Sequence, residues 1–184
     1  MVWSRLPLTP FHYPVAYVLY KLGIKLSLPA LVVGSNVPDL EIPVIVLLFG
    51  TTVPNHLLLH SLIGALTLGT ALAMAITVLI YPTLTSAIFP VDKLKVKEKC
   101  RLSLGLVFSC ALGSLSHVLL DIATHAYNPI FWPFLPPNET PSPIVSLLGG
   151  IGNASLLIHA LMIILFIGLF ANKRENFWEQ LIVG

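Results

Sequence analysis

The sequence predicts an all-α integral membrane protein, organised as a single membrane-embedded helical domain over residues 1–184. Of the 184 residues, 56% are hydrophobic and only 10% are charged, whereas soluble domains carry charge on about a quarter of their residues. Four apolar segments are long enough to cross a hydrocarbon layer of ~30 Å, and ionisable residues recur inside them at helical spacing. The formal net charge of +2 is too small to suggest a nucleic-acid partner.

The first element is a short N-terminal helix from Thr9 to Leu22. Thr9-Pro10 is a good helix start, because proline suits the first helical turn. At a rise of about 1.5 Å per residue, this helix is too short to cross the membrane alone. Prolines at positions 7, 10 and 14 interrupt what would be the apolar core of a signal peptide, so we expect the segment to be retained.

The second element, from Leu26 to Gly50, has membrane length but is broken at Asn36–Asp39 by Pro38. Proline disfavours helix at the preceding residue and removes one backbone donor. Irregular backbone persists at membrane depth only where it is buried in protein or lines a wet cavity. The break therefore predicts a site lined by Asp39 and Glu41, with helix capping by Asp39 as the structural alternative.

Three further apolar segments complete the predicted bundle, at residues 55–81, 102–127 and 144–170. Short loops rich in lysine and arginine remain cytoplasmic. Lys21/Lys25, the charged linker 90–101 and Lys173/Arg174 can all lie on one side if the four long segments cross alternately. We therefore expect a protein of the cell membrane whose basic loops are cytoplasmic and whose proline-rich loop 128–143 faces outside.

Ionisable residues are spaced four apart on the segment 102–127, at His117, Asp121 and His125. Residues four apart share one face of a helix, and ionisable groups inside a membrane normally face the protein interior and mark a functional site. A histidine–carboxylate pair that only fixes helix packing is the structural alternative. His56 and His60 repeat the spacing at the start of the preceding segment, where His56 fits a position at the water interface equally well.

The predicted topology brings these polar residues together in the outer half of the membrane, where they suit a divalent metal. Imidazole and carboxylate ligands favour zinc, or manganese or iron if oxygen ligands dominate. The candidate ligands are His12, Asp39, His60, His117 and Asp121. Either two ions share a bridging carboxylate, or one ion is bound and the remaining residues orient its ligands.

An open coordination position would hold a water molecule whose pKa falls toward neutrality, giving hydroxide as the nucleophile. A spare carboxylate such as Glu41 is the predicted acceptor of its proton. His125, which extends the His117/Asp121 stripe, is the second predicted catalytic residue.

Five motifs carry a resemblance to a known family. They are Thr9-Pro10-Phe-His12, Gly34-Ser-Asn-Val-Pro38-Asp39-Leu-Glu41, His60-Ser61, Gly113-Ser-Leu-Ser-His117-Val-Leu-Leu-Asp121-Ile-Ala-Thr124 and Trp132-Pro133-Phe134. In this order the chain resembles the small membrane-bound metal-dependent hydrolases of bacteria and archaea, and it is distantly similar to the zinc-dependent phospholipase C group. The resemblance implies zinc on the five candidate ligands and phosphoester cleavage as the reaction.

Two motifs of the chain depart from those of the related families, and one ligand is favoured by nothing but the resemblance. It alone favours His12 as a ligand, since an isolated histidine there would otherwise be assigned to the surface. Asn55-His56 lacks the arginine that related hydrolases carry, and His159 is followed by Ile163 where the phospholipases have a glutamate ligand.

We therefore expect a membrane-embedded metal-dependent hydrolase that acts on a lipid or phosphoester, with membrane lipid as its surroundings. Nothing in the sequence indicates an oligomer, although one is possible. The alternative is a non-enzymatic membrane component that conducts protons or ions, or that binds a partner subunit. A transporter would more naturally show paired repeats with matching broken segments, and one clear break is visible here.

Overall fold

The computed structural model describes residues 9–22, 25–50, 52–54, 56–171 and 176–184. It is 70% helical, and the described residues form no strand. The helices are α1 (Tyr13–Lys21), α2 (Leu28–Gly34), α3 (Glu41–Phe49), α4 (Leu62–Gly64), α5 (Thr70–Leu79), α6 (Tyr81–Ile88), α7 (Lys93–Lys99), α8 (Leu104–Ile122), α9 (Pro143–Leu147), α10 (Ile151–Ala171) and α11 (Phe177–Ile182).

Within the described ranges, four helical stretches are long and apolar enough to cross a membrane: Leu28–Phe49, Leu62–Leu79, Leu104–Ile122 and Ile151–Leu169. The second is continuous because a π-helical turn, Ala65–Gly69, joins α4 to α5. These stretches correspond to the four apolar segments predicted from the sequence, and the short helix α1 precedes them. The predicted all-α membrane fold is confirmed.

The break in the first span is also confirmed. Helix α2 ends at Gly34, and a 3₁₀ turn at Pro38–Leu40 leads into α3. The Asn36 side chain donates a hydrogen bond of 2.6 Å to the carbonyl of Val32, which satisfies one of the carbonyls exposed at the helix end. The turn therefore places Asp39 and Glu41 at the start of a new helix.

Three predicted helix boundaries differ from the structure. The helix expected from residue 55 begins only at Leu62, because the Ser61 hydroxyl accepts a hydrogen bond from Gly64 N and so caps it. Helix α8 ends at Ile122, so His125 lies just beyond it. The last segment is divided by Gly149 and Gly150, whose φ angles of +79° and +107° are ones that only glycine adopts readily.

Helices α2 and α8 approach closely through a pair of glycines. A Cβ atom on Gly34 would lie 2.5 Å from the carbonyl oxygen of Cys110, and one on Gly113 would lie 2.5 Å from that of Leu31. The Ser114 hydroxyl donates to Gly34 O across the same contact, at 3.2 Å. Backbone contact at this point fixes the broken turn of the first span against the middle of α8.

The charged linker forms α7 and packs with the C-terminal helix at one end of the bundle. Val96 and Cys100 are buried together with Leu181, Ile182 and Val183. Lys95 forms an ion pair of 2.8 Å with Glu179. This end lies near the start of α8, whereas His117 lies about 20 Å further along that helix. The two remaining basic residues of the predicted cytoplasmic side, at positions 173 and 174, lie outside the described residues.

Candidate metal centre

Four side chains from three parts of the chain converge on one point. The broken turn provides Asp39, the turn before α4 provides His60, and α8 provides the other two. His117 Nε2 lies 3.3 Å from His60 Nε2 and 3.4 Å from both Asp39 Oδ1 and Asp121 Oδ2. His60 Nε2 lies 3.6 Å from each of the same two carboxylate oxygens.

These separations match the spacing of ligand atoms around a single ion. Donor atoms held at about 2.0–2.1 Å from a tetrahedral zinc are about 3.3–3.4 Å from one another. Five of the six pairwise distances between the four ligand atoms are 3.3–3.6 Å, close to that spacing. We call these four residues the inner set.

Both imidazoles of the inner set are oriented by acceptors on their other nitrogen. His117 Nδ1 lies 2.8 Å from the carbonyl oxygen of Ser35, which can only accept, so Nδ1 carries the proton. His60 Nδ1 lies 3.4 Å from Glu41 Oε1, and the Glu41 carboxylate accepts hydrogen bonds from the backbone amides of Leu57 and Leu59. Both Nε2 atoms are therefore left with lone pairs that point into the cluster, as in histidines that bind metals.

The electrostatics of the cluster favour a cation. Burial lowers the pKa of His60, but hydrogen bonds to Asp39 and Glu41 raise it more, so that the net pKa lies above its usual value. A position that attracts a proton in this way also attracts a metal ion, which competes for the same lone pair.

His12 reaches the cluster from the 3₁₀ turn that precedes α1. Its ring stacks on that of His117, with centroids 3.9 Å apart and planes 16° from parallel. Its Nε2 atom lies 4.0 Å from Asp121 Oδ1. Burial, and then the charge of His117, lower the pKa of His12 to about 3, so the ring is neutral and able to bind a metal.

A cavity of about 510 Å³ opens beside the inner set. Its walls include His56, His60, Asp121 and His125, with Val118 of α8 and the loop segments around residues 54, 126–129 and 137–138. The loop is attached to the start of α4 by a hydrogen bond of 3.0 Å from Leu62 N to Ile130 O. Burial, and then the charges of His60 and His125, lower the pKa of His56 to about 3.

The structure brings all seven predicted site residues into one region, in different positions. The inner set contains four of the five predicted ligands, and His12 lies against its edge. Glu41 lies behind His60, on the nitrogen that faces away from the cluster. His125 Nδ1 lies 3.8 Å from Asp121 Oδ1, on the cavity side.

One residue of the site was not singled out from the sequence, and another was named but left undecided. Ser35 contributes only its carbonyl oxygen, for which a sequence carries no signal. His56 was left undecided, although its spacing of four from His60 indicated a shared surface. His159, which was excluded from the ligands, lies with its Nδ1 2.6 Å from Ser155 O on its own helix.

The fold and the site define an integral membrane protein with four potential spans and a buried histidine–aspartate cluster able to hold a metal ion. The chain belongs to the YdjM inner membrane protein family, whose model matches residues 11–184. No curated protein and no solved structure matches it. Family membership confirms the membrane part of the resemblance; its hydrolase and phospholipase C parts stay predictions.

Proposed function

We propose that the inner set binds a divalent metal ion, with zinc as the favoured ion, and that the protein is a membrane-embedded hydrolase of a lipid or phosphoester. One observation carries this proposal. Two imidazole lone pairs and two carboxylate oxygens meet within 3.3–3.6 Å. With both imidazoles neutral all four atoms are acceptors, so a cation or a proton at their centre is needed to make the arrangement favourable.

The surrounding residues have positioning roles. Ser35 holds the ring of His117 through Nδ1, and Glu41 does the same for His60. Such partners raise the basicity of a ligating imidazole and fix its direction. Because the Glu41 oxygens also accept two backbone amides, its position favours this role over that of the proton acceptor predicted from the sequence.

A bound ion would supply charge stabilisation at the scissile group and, where a coordination position is left open for water, a nucleophile of lowered pKa. The described residues that line the cavity include no lysine or arginine. A phosphoester anion would therefore depend on the metal centre for its positive partner.

The location of the cavity supports a lipid-derived substrate. A volume of about 510 Å³ is in the range of ligand pockets, which run from about 300 to 1,000 Å³. The cavity lies at the C-terminal end of α8, beside the turn that precedes α4, and a bilayer crossed by these spans would bring the ester and phosphate groups of its lipids toward that level. The positive-inside rule assigns this end to the outer face, opposite the basic helix α7.

The conduction alternative has less support from the packing. Ala30, Val33 and Leu106 are buried between the inner set and the basic end of the bundle, and a conducting path requires a polar or wet route through this region. A site that opens toward one face suits a hydrolase better than a conductor.

The proposal is tested by metal analysis and turnover of the purified full chain in detergent. We expect bound zinc in the wild type and its loss in His117→Ala and Asp121→Ala. A panel of phospholipids and soluble phosphoesters should show turnover that these two variants lack. His159→Ala is the matched control, because it removes a histidine outside the cluster.

A folded wild type that binds no metal would overturn the proposal. Metal binding without turnover of any ester would leave a metal site and remove the hydrolase. Ion flux in liposomes that a chelator does not affect would instead support the conduction alternative.

A further inference from the structure

The cavity-facing side of Asp121 carries a second cluster of possible ligands, which we call the outer set: His56, Asp121 and His125. Resting on the proposed metal centre, we infer that a second ion binds at the outer set and that Asp121 bridges the two ions. The outer ion is the one that faces the cavity and the substrate.

The two oxygens of the Asp121 carboxylate point to different sides. Its Oδ2 atom faces the inner set, 3.4 Å from His117 Nε2 and 3.6 Å from His60 Nε2. Its Oδ1 atom lies between His125, whose Nδ1 is 3.8 Å away, and His12, whose Nε2 is 4.0 Å away. One carboxylate that offers a separate oxygen to each side is the usual bridge of two-metal sites, in which the ions lie about 3.5–4 Å apart.

The ligand atoms of the outer set lie close enough together for one ion to draw them in. One ligand atom from each of its three residues can be chosen so that all lie within 4.8 Å of one another. The His56 and His125 rings have centroids 5.0 Å apart. These spacings are wider than a tetrahedral edge of about 3.3 Å, so an ion would draw the two side chains toward Asp121.

Buried atoms without hydrogen bonds concentrate at this position. Within the described part of the chain, the buried side-chain nitrogen and oxygen atoms that lack a partner are His12 Nε2, Thr77 Oγ1, Asp121 Oδ1 and His125 Nε2. Three of these four atoms are Asp121 Oδ1 itself, the Nε2 atom of the neighbouring His125, and His12 Nε2, which lies 4.0 Å from Asp121 Oδ1. Buried polar atoms are normally paired, and an ion at the site is one of the explanations for exceptions.

The orientation of His125 supports its role as a ligand. Its Nδ1 lies 3.2 Å from the backbone carbonyl oxygen of Asp121 and 3.2 Å from the Thr124 hydroxyl, and donation to the carbonyl places the proton on Nδ1. The lone pair is thereby left on Nε2, which has no partner. A histidine that donates one nitrogen to a carbonyl and presents the other is the usual form of a metal ligand.

The two sets differ in the number of coordination positions that they would leave for water on a bound ion. The inner set offers four protein ligands, the number that closes a tetrahedral structural site. The outer set offers three and also lines the cavity, which matches catalytic zinc sites that keep one position for water. The outer set is therefore where the reactive water and the substrate meet.

The test counts ions in the purified full chain. After loading with zinc and gel filtration, we expect about two ions per wild-type chain and about one in His56→Ala and His125→Ala. His159→Ala should retain about two ions. Retention of two ions in both outer-set variants would overturn the second site.

The wild-type count separates the two proposals. One ion per chain would overturn the outer site and leave the inner metal centre standing, whereas no ion would overturn both. Loading with Mn²⁺ provides a readout that needs no variant. We expect the electron paramagnetic resonance spectrum of an exchange-coupled pair, and an isolated six-line spectrum at full loading would overturn the bridge.

Discussion

His60 Nε2 and His117 Nε2 lie 3.3 Å apart, although 57 residues separate them in the chain. Each ring has its other nitrogen directed at an acceptor, Glu41 for His60 and Ser35 for His117. Two lone pairs at this distance repel unless a proton or a cation lies between them. Metal binding should therefore stabilise the contact between the turn before α4 and α8.

Removal of metal should lower thermal stability. A ligand present at 100 times its dissociation constant stabilises the native state by about 2.7 kcal/mol, which corresponds to about 5–10 °C for a chain of this size. We expect a chelator to lower the melting temperature of the wild type by this amount and zinc to restore it. His60→Ala should show no response to either, and an equal response in the variant would contradict the assignment of His60.

Glu41→Gln should weaken metal binding about 10–100-fold while the protein still folds, because it removes the carboxylate that orients His60. Binding isotherms for zinc would measure the change. Glu139→Gln, in the exposed loop, is the control and should bind zinc like the wild type. Unchanged zinc affinity combined with lost turnover would instead support Glu41 as the proton acceptor.

Gly113→Ala should separate α2 from α8, because its Cβ would lie 2.5 Å from the backbone oxygen of Leu31. Overpacking of this kind costs about 1–3 kcal/mol, and the hydrogen bond from His117 to Ser35 would be lost with it. We expect a lower melting temperature and weaker zinc binding. Gly152→Ala is the matched control, because no atom lies within 4 Å of its added Cβ.

Cysteine labelling should report which end of the bundle faces outside. The two native cysteines, Cys100 and Cys110, are both buried and form a silent background. Burial, and then Cys110, raise the pKa of the Cys100 thiol to about 12, and thiolates are the reactive form. With an impermeant maleimide on intact cells, we expect labelling of Asn138→Cys in the cavity loop. Lys97→Cys in α7 should be labelled only after the cells are opened, and the reverse pattern would refute the proposed orientation.

The fold class and the break in the first span follow from local features of the sequence. Apolar length and low charge decide which segments can lie in lipid, and Pro38 disrupts helix wherever it stands. The pairing of His117 with Asp121 is equally local, since a spacing of four on one helix is enough to bring their side chains to 3.4 Å.

Helix ends near the site depended on contacts that the apolar pattern does not contain. His60 was expected on a helix, yet it lies in a turn because Ser61 caps the helix that follows. His125 was expected to continue the stripe of α8, yet it lies past the helix end and still reaches Asp121. Its backbone amide bonds to Asp121 O at 2.9 Å, which keeps it one turn away.

The sequence by itself determined that this is a helical membrane protein. It also determined that the polar residues within its spans lie at the break around Pro38 and on the helix face that carries His117 and Asp121. Only the tertiary structure decided which atoms face one another: the Ser35 carbonyl at His117, Glu41 behind His60, and the two oxygens of Asp121 on different sides. The physical reason is that these contacts depend on the approach of α2 to α8 at Gly34 and Gly113. Hydrophobic period and helix propensity act over a few residues, whereas that approach is set by the packing of backbones from distant parts of the chain.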